Sequence, residues 1–104
     1  MKVFLVIPVC NEERWIGRVV SEAGVYVDKV IVVDDGSSDK TANKAEASAD
    51  NVIVLRQLVN LGKGHAMKTG CEAAVALGAD LIVVMDGDGQ HQPGQIPQFI
   101  KKLN

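Results

Sequence analysis

Apolar residues in this chain fall into two alternating patterns. Lys2 to Val9, Lys29 to Val33, Asn51 to Leu55 and Leu81 to Met85 are short, nearly continuous apolar runs rich in Val and Ile. Each is too short for a membrane span and reads as a strand, the last of them buried on both faces as in a parallel sheet. Pro8, lacking an N–H for the ladder, marks where pairing of the first strand should stop. Between the runs the spacing becomes helical. Trp15, Ile16, Val19, Val20 and Ala23 form one stripe, with Trp15 read as core. Ala42, Ala45 and Ala49 form a small-residue face, and Met67, Cys71, Ala74 and Val75 a third stripe. Ile96, Phe99, Ile100 and Leu103 form a fourth, with Pro97 in its first turn. Asn11 is placed to cap the first helix, with Glu12 and Glu13 in its first turn, and Ser38 or Asp39 to cap the second. Gly78 is placed to end the third.

The resulting order is β-α-β-α-β-α-β-α, without internal repeat or low-complexity linker. Alternating strands and helices predict an α/β fold: a parallel sheet with right-handed crossovers and helices on both faces. With the four strands in the order 3-2-1-4, a crevice opens between strands one and four, where ligands bind in such sheets. Pro8 to Glu12, the pair Asp34 and Asp35, and the pair Asp86 and Asp88 would all border it.

Bulk properties narrow the class. At 104 residues, 47% hydrophobic and 23% charged, the chain has the make-up of one soluble domain. A net charge of −2 gives no electrostatic reason to expect nucleic acid, and no basic stripe would hold the chain to an anionic membrane. Cys10 and Cys71 have neither metal-ligand spacing nor the look of a disulfide framework, so reduced thiols and a cytoplasmic location are expected. The amino-terminal apolar run is broken by Pro8 and followed by Asn11 to Arg14, which argues for a strand over a signal peptide. No stretch reaches the length of a transmembrane helix, which excludes an integral protein but leaves peripheral association with the cytoplasmic membrane face open.

The chemistry concentrates at strand ends. Asp86 and Asp88, separated only by Gly87, repel each other unless a proton or cation intervenes. Mg²⁺ or Mn²⁺ against a phosphorylated ligand would satisfy them; so, alternatively, would a polar Gly/Asp turn with no ligand at all. An EF-hand is excluded, because His91 stands where its glycine belongs and Pro97 where its glutamate belongs. Asp34 and Asp35 form a second acidic strand end, costly after a buried strand unless something uses them. Gly62-Lys63-Gly64 satisfies neither the Walker nor the dinucleotide pattern, which leaves Lys63 as an anion contact at a helix start. His65 reads as a helix-surface residue, and His91 equally as a ligand contact or a solvated loop residue.

Four segments, IPVCNEE, VVDDGSSDKT, NLGKGHAMKTG and VVMDGDGQHQP, in this order and spacing, resemble the family 2 glycosyltransferases. The likeness is strongest to the polyprenyl-phosphate (dolichyl-phosphate) mannosyl- and glucosyltransferases, and it runs over essentially the whole chain. It implies a Rossmann-like nucleotide-diphospho-sugar transferase fold of the GT-A type, with the donor across the carboxyl ends of the strands. By resemblance, Pro8, Cys10 and Glu12 surround the base and ribose, and Cys10 stands where many relatives have tyrosine. Asp35, with Asp34 beside it, accepts from the base N–H groups. Asp86 and Asp88 hold Mg²⁺ or Mn²⁺ on the diphosphate, with Gly87 between them at the nucleotide. Gln90 matches a further metal contact, and Lys63 lies near the nucleotide. The implied reaction is inverting transfer of a sugar from a GDP- or UDP-sugar to an acceptor such as polyprenyl phosphate.

The family's acceptor-binding half would follow Asn104. Residues 1–104 therefore read as a single nucleotide-sugar-binding domain, the amino-terminal half of a catalytic domain, truncated after the metal-binding strand. Self-association through an uncovered sheet face, or a complementing acceptor-binding chain, are the partners this implies. Two competing readings stand beside it: a non-catalytic nucleotide-binding domain of the same fold, and a receiver module phosphorylated on Asp86. The receiver reading leaves the first 28 residues unused and lacks the strands and lysine such a module needs beyond Asp86.

Overall fold

The computed structural model describes residues 1–87. Strands β1 (Val3–Val9), β2 (Lys29–Asp35), β3 (Val52–Gln57) and β4 (Leu81–Val84) alternate with helices α1 (Ile16–Ala23), α2 (Thr41–Glu46) and α3 (Lys63–Ala76). The sheet is wholly parallel in the order β3-β2-β1-β4, as the alternating pattern predicted. The helix expected around Ile96 to Leu103 lies outside the described residues, as do Asp88, Gln90 and His91.

The period-two geometry of the strands sorts the core into two layers. Leu5, Ile7, Val9, Val30 and Val32 face α1 and α2, packing on Ile16, Val19, Val20, Ala23 and Ala45. Phe4, Val6, Ile31 and Val33 face α3, packing on Ala66 and Ala74. β1 and β2 are buried along almost their whole length because both faces are covered. β4 departs from expectation: its residues are only half-buried and Val84 is 42% exposed, as befits a strand that among the described residues pairs on one side only.

α3 corrects the sequence reading more sharply. The stripe expected to face the sheet includes Met67 and Val75, but these are 39% and 66% exposed. The buried line is instead Ala66, Gly70 and Ala74. The reason is close approach: a Cβ at Gly70 would collide with the Val6 side chain and stand 3.0 Å from Val33 Cγ2. Small residues let this helix settle onto the sheet, and its larger apolar residues are thereby turned away. Gly78 does end the helix, at φ 90°, donating to Val75 O while Ala79 N–H reaches Ala74 O.

Three further expectations shift. Asn11 does not cap α1, which begins only at Ile16; it adopts a left-handed φ of 53°, and its side chain turns to another loop. Trp15 is half-buried beneath the Arg14 guanidinium, 5.4 Å from its ring centre, and is not a core residue. Neither Ser38 nor Asp39 is the cap of α2, whose cap position is Lys40; Asp39 stands one residue earlier and accepts from Thr41 N–H at 3.0 Å.

Candidate functional site

Pro8 stops pairing on one side only. Val6 O accepts from Met85 N–H, so two residues later Pro8 faces the same β4 edge with no N–H to offer. The β1–β4 register ends at Val6 and Val84, whereas β1–β2 continues through Pro8 and Val33 to Val9 and Asp34. The strands therefore part at their carboxyl ends, at the point where chain order reverses. A cleft of about 300 Å³ lies there, lined by Pro8, Val9, Cys10, Glu12, Asp35, Asn60, Lys63, Asp86 and Gly87.

Seven residues singled out from the sequence thus meet in one place: Pro8, Cys10, Glu12, Asp35, Lys63, Asp86 and Gly87. Asp34 does not join them. Both acids lie inside β2, so consecutive side chains point to opposite faces. Asp34 follows Val30 and Val32 toward α1 and α2 and accepts from Ser37 N–H at 3.0 Å. Asp35 follows Ile31 and Val33 toward α3. Its carboxylate, 3% exposed, accepts from Leu61 N–H at 2.8 Å and Gly62 N–H at 3.0 Å. That pins the loop before α3 to the end of β2.

The same loop is held from below. Gly36 has φ 73°, and a Cβ there would stand 2.6 Å from Asn60 N, so only glycine lets residues 59 and 60 pack so closely. Asn60, which the sequence reading overlooked although it opens the NLGKG segment, then lines the cleft. Its amide donates to Cys10 Sγ at 3.3 Å, and its Oδ1 accepts from Gly62 N–H at 3.1 Å. Val9 lies within the Pro8 to Glu12 stretch expected to border the crevice, and its position at the end of β1 brings it there.

A second network ties the loops after β1 and β2 together. Asn11 N–H donates to Ser37 Oγ at 2.8 Å, and Asn11 Oδ1 accepts from Ser38 N–H at 2.9 Å. Glu12 N–H donates to the wholly buried Thr41 hydroxyl at 2.9 Å, and Lys40 N–H to Glu13 Oε2 at 3.1 Å. Asp39 completes it. Burial works to raise its carboxyl pKa, but hydrogen bonds from the Thr41 hydroxyl, Thr41 N–H and Glu13 N–H outweigh this and hold it below its ordinary 3.8. Glu12 and Cys10 are thereby presented from a braced loop.

Lys63 begins α3, and its ammonium pairs with Asp86 Oδ1 across the cleft. Both partners are partly exposed, so the pair adds no more than about 1 kcal/mol to stability and can rearrange around a ligand. Glu12, Asp35 and Asp86 against one lysine make the lining formally negative. The hard carboxylate oxygens of Asp86 are of the type that suits Mg²⁺ or Mn²⁺. Among the described residues no three His, Cys, Asp or Glu side chains gather into a metal cage.

A parallel sheet in the order 3-2-1-4, with acidic strand ends around a cleft where the order reverses, is the architecture of the GT-A glycosyltransferases. The chain belongs to glycosyl transferase family 2, which matches it over residues 4–104. It is 35% identical to a UDP-N-acetylglucosamine–dolichyl-phosphate N-acetylglucosaminyltransferase of Methanococcus voltae, over 97% of this chain and 47% of the relative. It is 34% identical to an undecaprenyl-phosphate mannosyltransferase of Micrococcus luteus, over 99% of this chain and 44% of the relative. Among solved structures, it superposes with a TM-score of 0.78 and 30% identity on glucosyl-3-phosphoglycerate synthase of Mycobacterium tuberculosis, determined with Mn²⁺, UDP-glucose and phosphoglyceric acid. That match covers 98% of this chain and 39% of the synthase. The chain spans less than half the length of these proteins. Among the described residues no helix is long and apolar enough to cross a membrane.

Proposed function

We propose that this chain binds a nucleotide-diphospho-sugar, a GDP- or UDP-sugar, together with Mg²⁺ or Mn²⁺, for inverting transfer of the sugar to an acceptor, polyprenyl phosphate being favoured. The observation that carries this is the convergence of Asp35, Lys63 and Asp86 on one cleft at the reversal point of the sheet. The two curated relatives, whose names specify polyprenyl-phosphate acceptors, support the acceptor class. On this reading residues 1–104 are the donor-binding part of the enzyme, acting at the membrane face where such acceptors reside.

Asp86, with Asp88 outside the described residues and Gln90 as a further contact, would hold the metal. When bound, the ion would stabilise the charge that develops on the departing nucleoside diphosphate. Lys63, at the start of α3, adds a mobile positive charge beside the same phosphates. Pro8, Cys10 and Glu12 flank the base and ribose from the β1 side, and Asp35, which braces the opposite wall through Leu61 N–H and Gly62 N–H, would accept from the base N–H groups with its remaining lone pairs. In the reaction, an acceptor phosphate oxygen forms a bond to the anomeric carbon from the face opposite the nucleotide as the bond to the diphosphate oxygen breaks. Because the acceptor is already an anion, no strong base is needed.

The test is thermal unfolding with UDP- and GDP-sugars, with and without Mn²⁺. A melting temperature that rises only when nucleotide and metal are both present supports the reading, through preferential binding to the folded state. The rise should vanish in Asp88→Asn. Absence of any metal-dependent shift with either nucleotide would sink it. Transfer to a short polyprenyl phosphate then distinguishes an enzyme from a binding domain that keeps the fold without the activity.

A further inference from the structure

Among the side-chain pairs that close across the cleft, two differ in kind. Lys63 with Asp86 is charged; Asn60 with Cys10 is neutral. A phosphorylated heterocycle has the matching polarity, an anionic end for the first pair and an uncharged planar edge for the second. Asn60 is unusually well placed to meet that edge. Its backbone is fixed by the close packing of Gly36 and by the hold of Asp35 on Leu61 and Gly62. Yet its amide N–H is spent on a thiol sulfur, a weak acceptor. Exchanging that contact for a carbonyl oxygen on a base gains a stronger hydrogen bond without moving the chain. Its Oδ1 shares Gly62 N–H with Asp35 and keeps a second lone pair for a base N–H.

We propose that Asn60 reads the edge of the nucleobase and sets which nucleotide the cleft prefers. This rests on the nucleotide-binding reading above and adds a specificity-determining residue to it. A carboxamide presents a donor and an acceptor side by side, which matches the N–H and adjacent carbonyl of uracil. A carboxylate presents acceptors only, which matches the neighbouring N–H and NH₂ donors of guanine.

The experiment is calorimetric titration of the intact protein, Asn60→Asp and Asn60→Ala with UDP and with GDP, each with Mn²⁺. Asn60→Asp is expected to shift the ratio of UDP to GDP affinity toward GDP by about tenfold or more, and Asn60→Ala to weaken the preferred nucleotide by roughly three- to tenfold while narrowing the ratio. Asn60 is exposed, and Gly62 N–H keeps its bond to Asp35, so both variants should fold. Equal weakening of both nucleotides, or none, overturns the proposal by making Asn60 a mere brace. Wild-type protein that binds neither nucleotide overturns the donor-site reading and this one with it.

Discussion

Replacing Asp35 tests whether the wall of the cleft is held as described. Its two oxygens each take one backbone N–H, Leu61 at 2.8 Å and Gly62 at 3.0 Å, from a nearly wholly buried position. Asp35→Asn keeps one acceptor oxygen and turns the other into a donor. Gly62 N–H already has Asn60 Oδ1 at 3.1 Å, whereas Leu61 N–H has no second acceptor among the described residues. The remaining oxygen should therefore stay with Leu61, and the variant should lose about one charge-assisted bond, roughly 2 kcal/mol. For a domain of this size that is on the order of 8–16 °C in melting temperature. Asp35→Ala strands Leu61 N–H as well and should cost more, about 3–4 kcal/mol. Because Asn60 cushions the loss at Gly62, Asp35→Asn should cost more in an Asn60→Ala background, by about 0.5–1 kcal/mol in a double-mutant cycle. Urea unfolding supplies the energies, and amide exchange at Leu61 and Gly62 locates them. If Asp35→Asn unfolds like wild type and the cycle closes without coupling, Asp35 does not anchor this loop.

Two other predictions follow from the geometry. Gly70→Ala should gain up to about 1 kcal/mol in helix propensity. Its Cβ, however, meets the fully buried Val6 and stands 3.0 Å from Val33 Cγ2, an overpacking cost of roughly 1–3 kcal/mol, so the net effect should be destabilising; a raised melting temperature would show that α3 is not seated on its small-residue face. Asp39 has its carboxyl pKa lowered in the folded state, so its contribution is full above the ordinary value of 3.8 and is lost as pH falls through the lower folded value. The stability gap between wild type and Asp39→Asn should be constant near neutrality and close in strong acid; a gap that widens on acidification would reverse the assignment.

Much of this molecule was legible from residue order. The β-branched runs specified strands because apolar surface had to be buried on both sides, and the helical spacing between them required parallel crossovers. The acids at Asp35 and Asp86 marked the strand ends that border the cleft, because charge directly after a buried strand is costly to leave unpaired. The face of α3 was not legible, because periodicity counts large apolar residues while close approach selects small ones. Nor could the chain order show that Pro8 frees one edge and leaves the other paired, since which neighbour lies beside β1 is a property of the sheet.

The distinction between Asp34 and Asp35 was likewise undecided until β2 was seen to run through both, turning one toward α1 and α2 and the other toward the cleft. Asn60 gave no signal beyond its place in a glycine-rich segment; its position in the cleft depends on Gly36, 24 residues earlier, being tight against it. The sequence by itself determined which segments must be covered and where charge would gather, because burial and desolvation act on each residue's own chemistry. Only the tertiary structure decided which of those groups share a wall of the cleft, because that depends on the parity of a strand and on how near two backbones can come.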